Sequence, residues 1–268
     1  MVVAVVRAGT LVTDMSMGDP DLDARMRHAA EQAINHFLSA PKYTIAAGKQ
    51  HLFETSFPFA AHAINQVRAA LLLVDHGYAF PAEANARSAL EHAVTVQWMT
   101  FTHGGRKAVA AELIRDFAAV VNDAKHFTDV PEGLTLKAPA GYSSDGPART
   151  FERMCMRFDD SRSLYVMYRR LSGSIHPSLT SVGQYLDHGE ERVTGLNLEP
   201  DPTPDVDLMW ACGLSAVFAV SALETLRRTK PYKAKIRKIA EAAGMPPDLD
   251  SSDRQPELRR PPKAQPPS

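Results

Sequence analysis

The chain has little cysteine: 268 residues carry two, Cys155 and Cys212. Their neighbours, Met154 and Met156 on one side and Ala211 and Leu214 on the other, argue against a disulfide framework or a cysteine metal site. They read as small buried hydrophobes in a protein of the reducing cytoplasm. Charge of one sign is also missing. Thirty Lys and Arg against 31 Asp and Glu leave a formal net charge of −1, so no global field draws the chain to nucleic acid or membrane, and any such preference must come from a local patch. The ten histidines show no metal-ligand spacing: there is no His-Glu-x-x-His and no Cys/His cluster, and no metal site is expected. Single histidines such as His62 and His92 read as structural or surface residues. A Gly-rich phosphate loop, a serine nucleophile elbow and a dinucleotide fingerprint are all absent, so no cofactor is expected.

Long hydrophobic runs are scarce. LMWACGLSAVFAVSAL, Leu208 to Leu223, is uncharged but only 16 residues long, against the roughly 20 that a membrane span needs. Asp205, Asp207 and Glu224 close it on both sides, which favours a central core helix over a membrane segment. The N-terminal apolar run is broken by Arg7 and preceded by no basic residue, so it does not read as an export signal. Met15 and Met17 offer later start sites.

What is present is helical periodicity over a chain long enough to bury a substantial core. Asp21 to Leu38 places Leu22, Met26, Ala30, Ala33, Ile34 and Phe37 on one face. Pro58 suits the first turn of a second helix ending at Gly77, and Pro81 the first turn of a third that runs to about Thr102. Arg106 to His126 repeats Val109, Leu113, Phe117 and Val120 at helical spacing. Periodicity is lost from about Thr128 to Pro147, where prolines and glycines predict a long exposed loop. Helices resume at about 148–158, 161–172 and 177–186, then come a brief strand at 192–198, the central helix from Pro204 and a basic one from Pro231. The expectation is an all-α bundle at 19–228, with a flexible leader at 1–18, a basic C-terminal helix at 229–246 and a disordered Pro-rich tail at 247–268.

The stretch YRRLSGSIHPSLTSVGQYL, Tyr168 to Leu186, joins two of these helices. Leu164, Met167, Tyr168 and Leu171 form the buried stripe of the first. Gly173 suits a left-handed cap, and His176 precedes Pro177, placed for the first turn of the next helix. One reading is structural: Arg169 and Arg170 complement a helix C-terminus, and Gly and Pro serve as stop and start. The other is chemical. A helix N-terminus attracts phosphate, arginine binds it through a planar fork, and histidine titrates near neutrality. Such a set can cleave RNA without metal, His176 moving a proton while Arg169 or Arg170 stabilises charge on phosphorus.

Tyr168-x-x-Leu171-Ser172-x-x-x-His176-Pro177, with Arg87 and Glu91 upstream, resembles the signature of a bacterial all-helical family of unknown function related to the HEPN superfamily. The likeness covers roughly residues 50 to 228. It implies a HEPN-like bundle, a homodimer and a metal-independent endoribonuclease with four to six residues between its Arg and His, which both Arg169 (six) and Arg170 (five) satisfy with His176. It also implies a stress or phage-defence setting, with a protein antitoxin as partner. Arg87 and Glu91 read either as an intrahelical ion pair or as groups that orient Tyr168 or His176, with Ser172 in support. The run RRTKPYKAKIRK supplies Arg227, Arg228, Lys230, Lys233, Lys235, Arg237 and Lys238, either a solvated face or a polyanion site. The rival to an RNA-cleaving enzyme is a non-catalytic helical module that binds an unidentified ligand or partner.

Overall fold

A computed structural model describes residues 20–39, 42–124, 148, 150–158, 162–188, 193–229 and 231–249. The expected leader, the loop at 128–147, Lys230 and the tail from 250 onward lie outside these. Among the described residues the chain is all-α. The long helices are α1 (Pro20–Ser39), α2 (Gln50–Asp75), α3 (Ala79–Phe101), α4 (Gly105–Ala124), α8 (Val206–Leu226) and α9 (Pro231–Ala242). Three short ones, α5 (Phe151–Met156), α6 (Ser163–Leu171) and α7 (Leu179–Gly183), lead to a two-stranded antiparallel hairpin, β1 (Leu186–His188) and β2 (Val193–Leu196).

Helix α8 is the axis. Asp205 caps it, accepting the Asp207 N–H at 3.1 Å. From Leu208 to Leu223 nearly every side chain is buried, because α1, α2, α3, α6 and α9 all pack on it. By length and composition both α2 and α8 would suffice to cross a membrane, so the charge-free run understates α8; its apolar surface is nonetheless enclosed by the bundle. At Gly213 a Cβ would meet the Met26 carbonyl oxygen at 3.0 Å, so the close approach of α1 to α8 depends on that glycine. Helix α9 adds Ile236, Ile239 and Ala240 to the same core, and Ala243, Met245 and Leu249 beyond it pack there too. Packing therefore extends past residue 246, where the tail was expected to begin.

Two buried polar groups tie the bundle together. The Gln97 carboxamide donates to the Phe218 carbonyl at 2.7 Å and accepts the Leu249 N–H at 2.8 Å. Glu224, wholly buried, pairs with His36 at 3.1 Å and with Arg227 at 2.8 Å. The Arg227 guanidinium lies 3.9 Å from the Tyr43 ring centroid and 4.9 Å from that of Tyr232. This corrects one expectation. Arg227 is 4% exposed and is committed to Glu224, because a buried carboxylate requires a cation beside it. It is not part of a polyanion surface.

Other differences are local. Helix α2 starts at Gln50, eight residues before Pro58, so Pro58 lies inside the helix. Phe53 and Phe57, clustered with Tyr43 and Phe37, hold the extra turns despite the N–H that proline lacks. On α4 only the N-terminal part is buried, at Gly105, Val109 and Ala111; Leu113, Phe117 and Val120 are exposed among the described residues.

Candidate functional site

The middle of α3 faces α6 and the joint that follows it. Glu83, Arg87 and Glu91 recur every four residues, while Ala86, Leu90, Ala93 and Val94 on the adjoining flank are fully buried. Arg87 is the hub. Its Nε donates to Ser172 Oγ at 2.9 Å, its Nη2 donates to the Tyr168 hydroxyl, and its Cζ lies 4.4 Å from the Tyr168 ring centroid. Ser172 Oγ in turn donates to the Tyr168 carbonyl at 2.7 Å. Glu91 sits 3.7 Å from Arg87 Nη1, a loose intrahelical pair. Burial, reinforced by Glu91, raises the Tyr168 phenol above its ordinary range, opposed by Arg87. Four residues singled out from sequence, Arg87, Glu91, Tyr168 and Ser172, are thus brought together, Tyr168 and Ser172 lying 81 and 85 residues beyond Arg87.

The two arginines of α6 have different fates. Arg170 is bound to the start of α8: Nε to Asp207 at 2.8 Å and Nη2 to Asp205 at 3.1 Å. Arg169 is exposed, and its guanidinium has no partner among the described residues. Beyond Leu171 the chain continues as a 3₁₀ turn, Ser172–Ser174, in place of a left-handed stop. Gly173 is required for a different reason. A Cβ there would come within 3.1 Å of the Thr180 side chain, so the glycine lets the joint fold closely against α7.

His176 is exposed, and its ring has no partner among the described residues; only its backbone is engaged, the carbonyl accepting Ser181 Oγ at 3.3 Å. Pro177 does not open α7. Ser178 caps that helix, its Oγ accepting the Ser181 N–H at 3.1 Å while Ser181 Oγ accepts the Ser178 N–H at 3.0 Å. Helix α7 ends at Gly183, five residues long, because the chain then turns into β1. Its start is occupied by its own serines and provides no phosphate cradle, so the anion-attracting helix end expected from sequence is withdrawn.

Three acids that the sequence did not assign to this site, Glu83, Asp205 and Asp207, complete the surroundings. Glu83, one turn before Arg87, is pushed up to about 7 by burial first and then by Asp205, against the Ser174 hydrogen bond and Arg170. Asp207 is raised by burial, opposed chiefly by Arg170. The four-residue spacing of Glu83, Arg87 and Glu91 was the available signal for Glu83; nothing local to 205–207 marked those aspartates as partners of α6.

Farther along α3 opens a cleft of about 220 Å³, lined by Phe59, Glu91, His92, Thr95, Glu112 and Phe151 among others. It does not include Arg169, Arg170 or His176. His92 in its wall is held below the ordinary imidazole range by burial. Among the described residues no three His, Cys, Asp or Glu side chains converge at metal-ligating spacing.

The basic C-terminal segment is smaller than its sequence. Lys233 is half-buried and 3.6 Å from Asp248. Arg228, Lys235, Arg237 and Lys238 remain exposed. Compared with known proteins, the chain matches no family model, no curated protein and no solved structure.

Proposed function

We propose that Arg169 and His176 together bind RNA and cleave it without a metal ion. One contrast carries the reading. Around this joint Arg87, Tyr168, Ser172 and Arg170 are all engaged in protein contacts, while Arg169 and His176 stand exposed with no side-chain partner among the described residues. The engaged groups form a rigid footing, and the free pair is what a ligand would meet. Arg170 is left out of the phosphate role in this reading because Asp205 and Asp207 pair with it. Arg169 takes that role, stabilising charge on the phosphorus. His176 moves the proton of the 2′-hydroxyl as that oxygen attacks, or supplies the proton of the departing 5′-oxygen. The products are a 2′,3′-cyclic phosphate and a 5′-hydroxyl, so atoms and charge balance without a cofactor. The resemblance of the Tyr168–Pro177 stretch supports RNA as substrate, a homodimer as the acting form, and a protein antitoxin as partner. Exposed Arg228, Lys235, Arg237 and Lys238 supply a footing for a polyanion.

Incubation of purified protein with RNA in excess chelator tests this. Wild type should yield cyclic-phosphate ends, and His176→Ala should yield none. Cleavage that persists in His176→Ala overturns the assignment.

A second reading is a non-catalytic interaction module. The exposed apolar side chains that follow His176 favour it, since solvent-facing leucines serve contact with a macromolecule better than they serve chemistry. RNA left intact by wild type, together with a stable partner complex, would select this reading.

A further inference from the structure

Between Ile175 and Leu198 the chain leaves the bundle, forms α7 and the hairpin, and returns. Seven large apolar residues in that stretch are exposed among the described residues: Ile175, Leu179, Val182, Tyr185, Val193, Leu196 and Leu198. Leu198 is 95% exposed, Leu179 86% and Leu196 78%. They are not scattered. Leu179 and Val182 are three apart on α7, the turn after α7 carries Tyr185, and the Tyr185 carbonyl accepts the Asn197 N–H at 3.0 Å between Leu196 and Leu198. Leu196 lies opposite Leu186 in the hairpin.

We propose that this face is the surface through which two copies of the chain associate. Its apolar extent, on the order of 600 Å², is at the limit of what a monomer leaves bare and near the about 800 Å² per partner of a standard interface. The hairpin gives a second argument. The sheet has two strands of three and four residues, so each strand has an edge unpaired among the described residues. A hairpin that small is marginal alone and gains most from further strand pairing. A two-fold axis beside β2 sets the strand antiparallel to its twin and brings the apolar residues of one copy onto those of the other. Charge is sparse on this face: among the described residues of the stretch Asp187 is the one carboxylate, with His176 and His188 beside it in sequence. The proposal supplies a surface for the homodimer named above, but it does not depend on RNA cleavage.

Sedimentation of nucleic-acid-free protein, from about 1 to 100 µM, tests it. Wild type should form dimers, and Leu179→Glu and Leu196→Lys should each weaken them at least about tenfold, because each buries an unpaired charge twice at a two-fold interface. Leu113→Glu on the exposed part of α4 should leave them intact. Sulfate should strengthen the dimer, as it does apolar association, whereas bridging by a polyanion would weaken steeply with salt. In unaltered protein, amide exchange over 175–198 should slow as concentration rises, a readout that needs no variant to fold. A monomer at about 100 µM, a dimer indifferent to Leu179 and Leu196, or exchange over 175–198 indifferent to concentration would each overturn the proposal, whether or not RNA is cleaved.

Discussion

Arg87 on α3 reaches across to Ser172 at the end of α6, donating from Nε at 2.9 Å. The same guanidinium serves the Tyr168 hydroxyl, so one side chain fixes both the last turn of α6 and the start of the joint that carries His176. Arg87→Ala should therefore cost about 1–3 kcal/mol of stability, since two part-buried acceptors lose a charged donor. Arg87→Lys should recover little, because a point charge cannot reproduce the fork. Urea titration of the three proteins measures this. Equal midpoints would mean that the joint is held by packing alone.

Arg169 and Arg170 should separate cleanly. Arg170→Ala breaks the link to Asp205 and Asp207 and should lower stability by up to about 1–2 kcal/mol, since Asp207 is left largely buried without its cation. Arg169→Ala and His176→Ala remove exposed groups and should stay within about 0.5 kcal/mol of wild type. RNA cleavage, by contrast, should be lost in Arg169→Ala and His176→Ala. Thermal melts and cleavage assays on all three variants check both halves.

Glu83 gives a pH prediction. Its native carboxyl, pushed up to about 7, holds a proton that the unfolded chain, at an ordinary value of 4.5, has released. Between those values the native state binds more protons than the unfolded state, so stability falls as pH rises from about 4.5 to about 7 and then levels off. Glu83→Gln should abolish that fall and exceed wild type at pH 8 by about 1–2 kcal/mol, after allowance for partial exposure. Denaturation at pH 5 and pH 8 is the measurement. A wild-type and variant difference that does not change with pH would refute it.

Replacing Lys235, Arg237 and Lys238 by glutamine should leave the fold intact while weakening RNA binding and flattening its salt dependence. Arg227→Ala should do the opposite. It strands Glu224 and His36 in the core and should cost about 3–5 kcal/mol. Binding titrations at several salt concentrations, beside melts, distinguish the two.

Helical periodicity made α1 legible, because a buried face repeats every three to four residues; α3 was marked by Pro81 in its first turn, and α8, buried nearly all round, by an uncharged run closed by acids. Pro58 misled because an aromatic cluster outweighs one missing N–H. The set of Arg87, Glu91, Tyr168 and Ser172 was legible as a motif, although only the fold shows what Arg87 holds. Arg227 could not be read as buried: Glu224 is only three residues away, but Tyr43 covers the guanidinium through tertiary contact, and a run of basic residues looks the same whether one member faces inward or not. The acids around Arg170 come from α8, 35 residues on, a pairing no local pattern encodes.

Gln97 has a consequence for how the polypeptide can be shortened. One amide group in the centre of the molecule is satisfied at one end by the Phe218 carbonyl and at the other by the Leu249 backbone. A stop codon or a protease that removes residue 249 would leave the oxygen of a fully buried glutamine facing nothing, a defect created at the core by a change at the periphery. The interior thus senses whether the polypeptide has been made and kept at least this far. An expression boundary placed at the end of α9, natural as it looks in a helix diagram, would lie on the wrong side of that sensor.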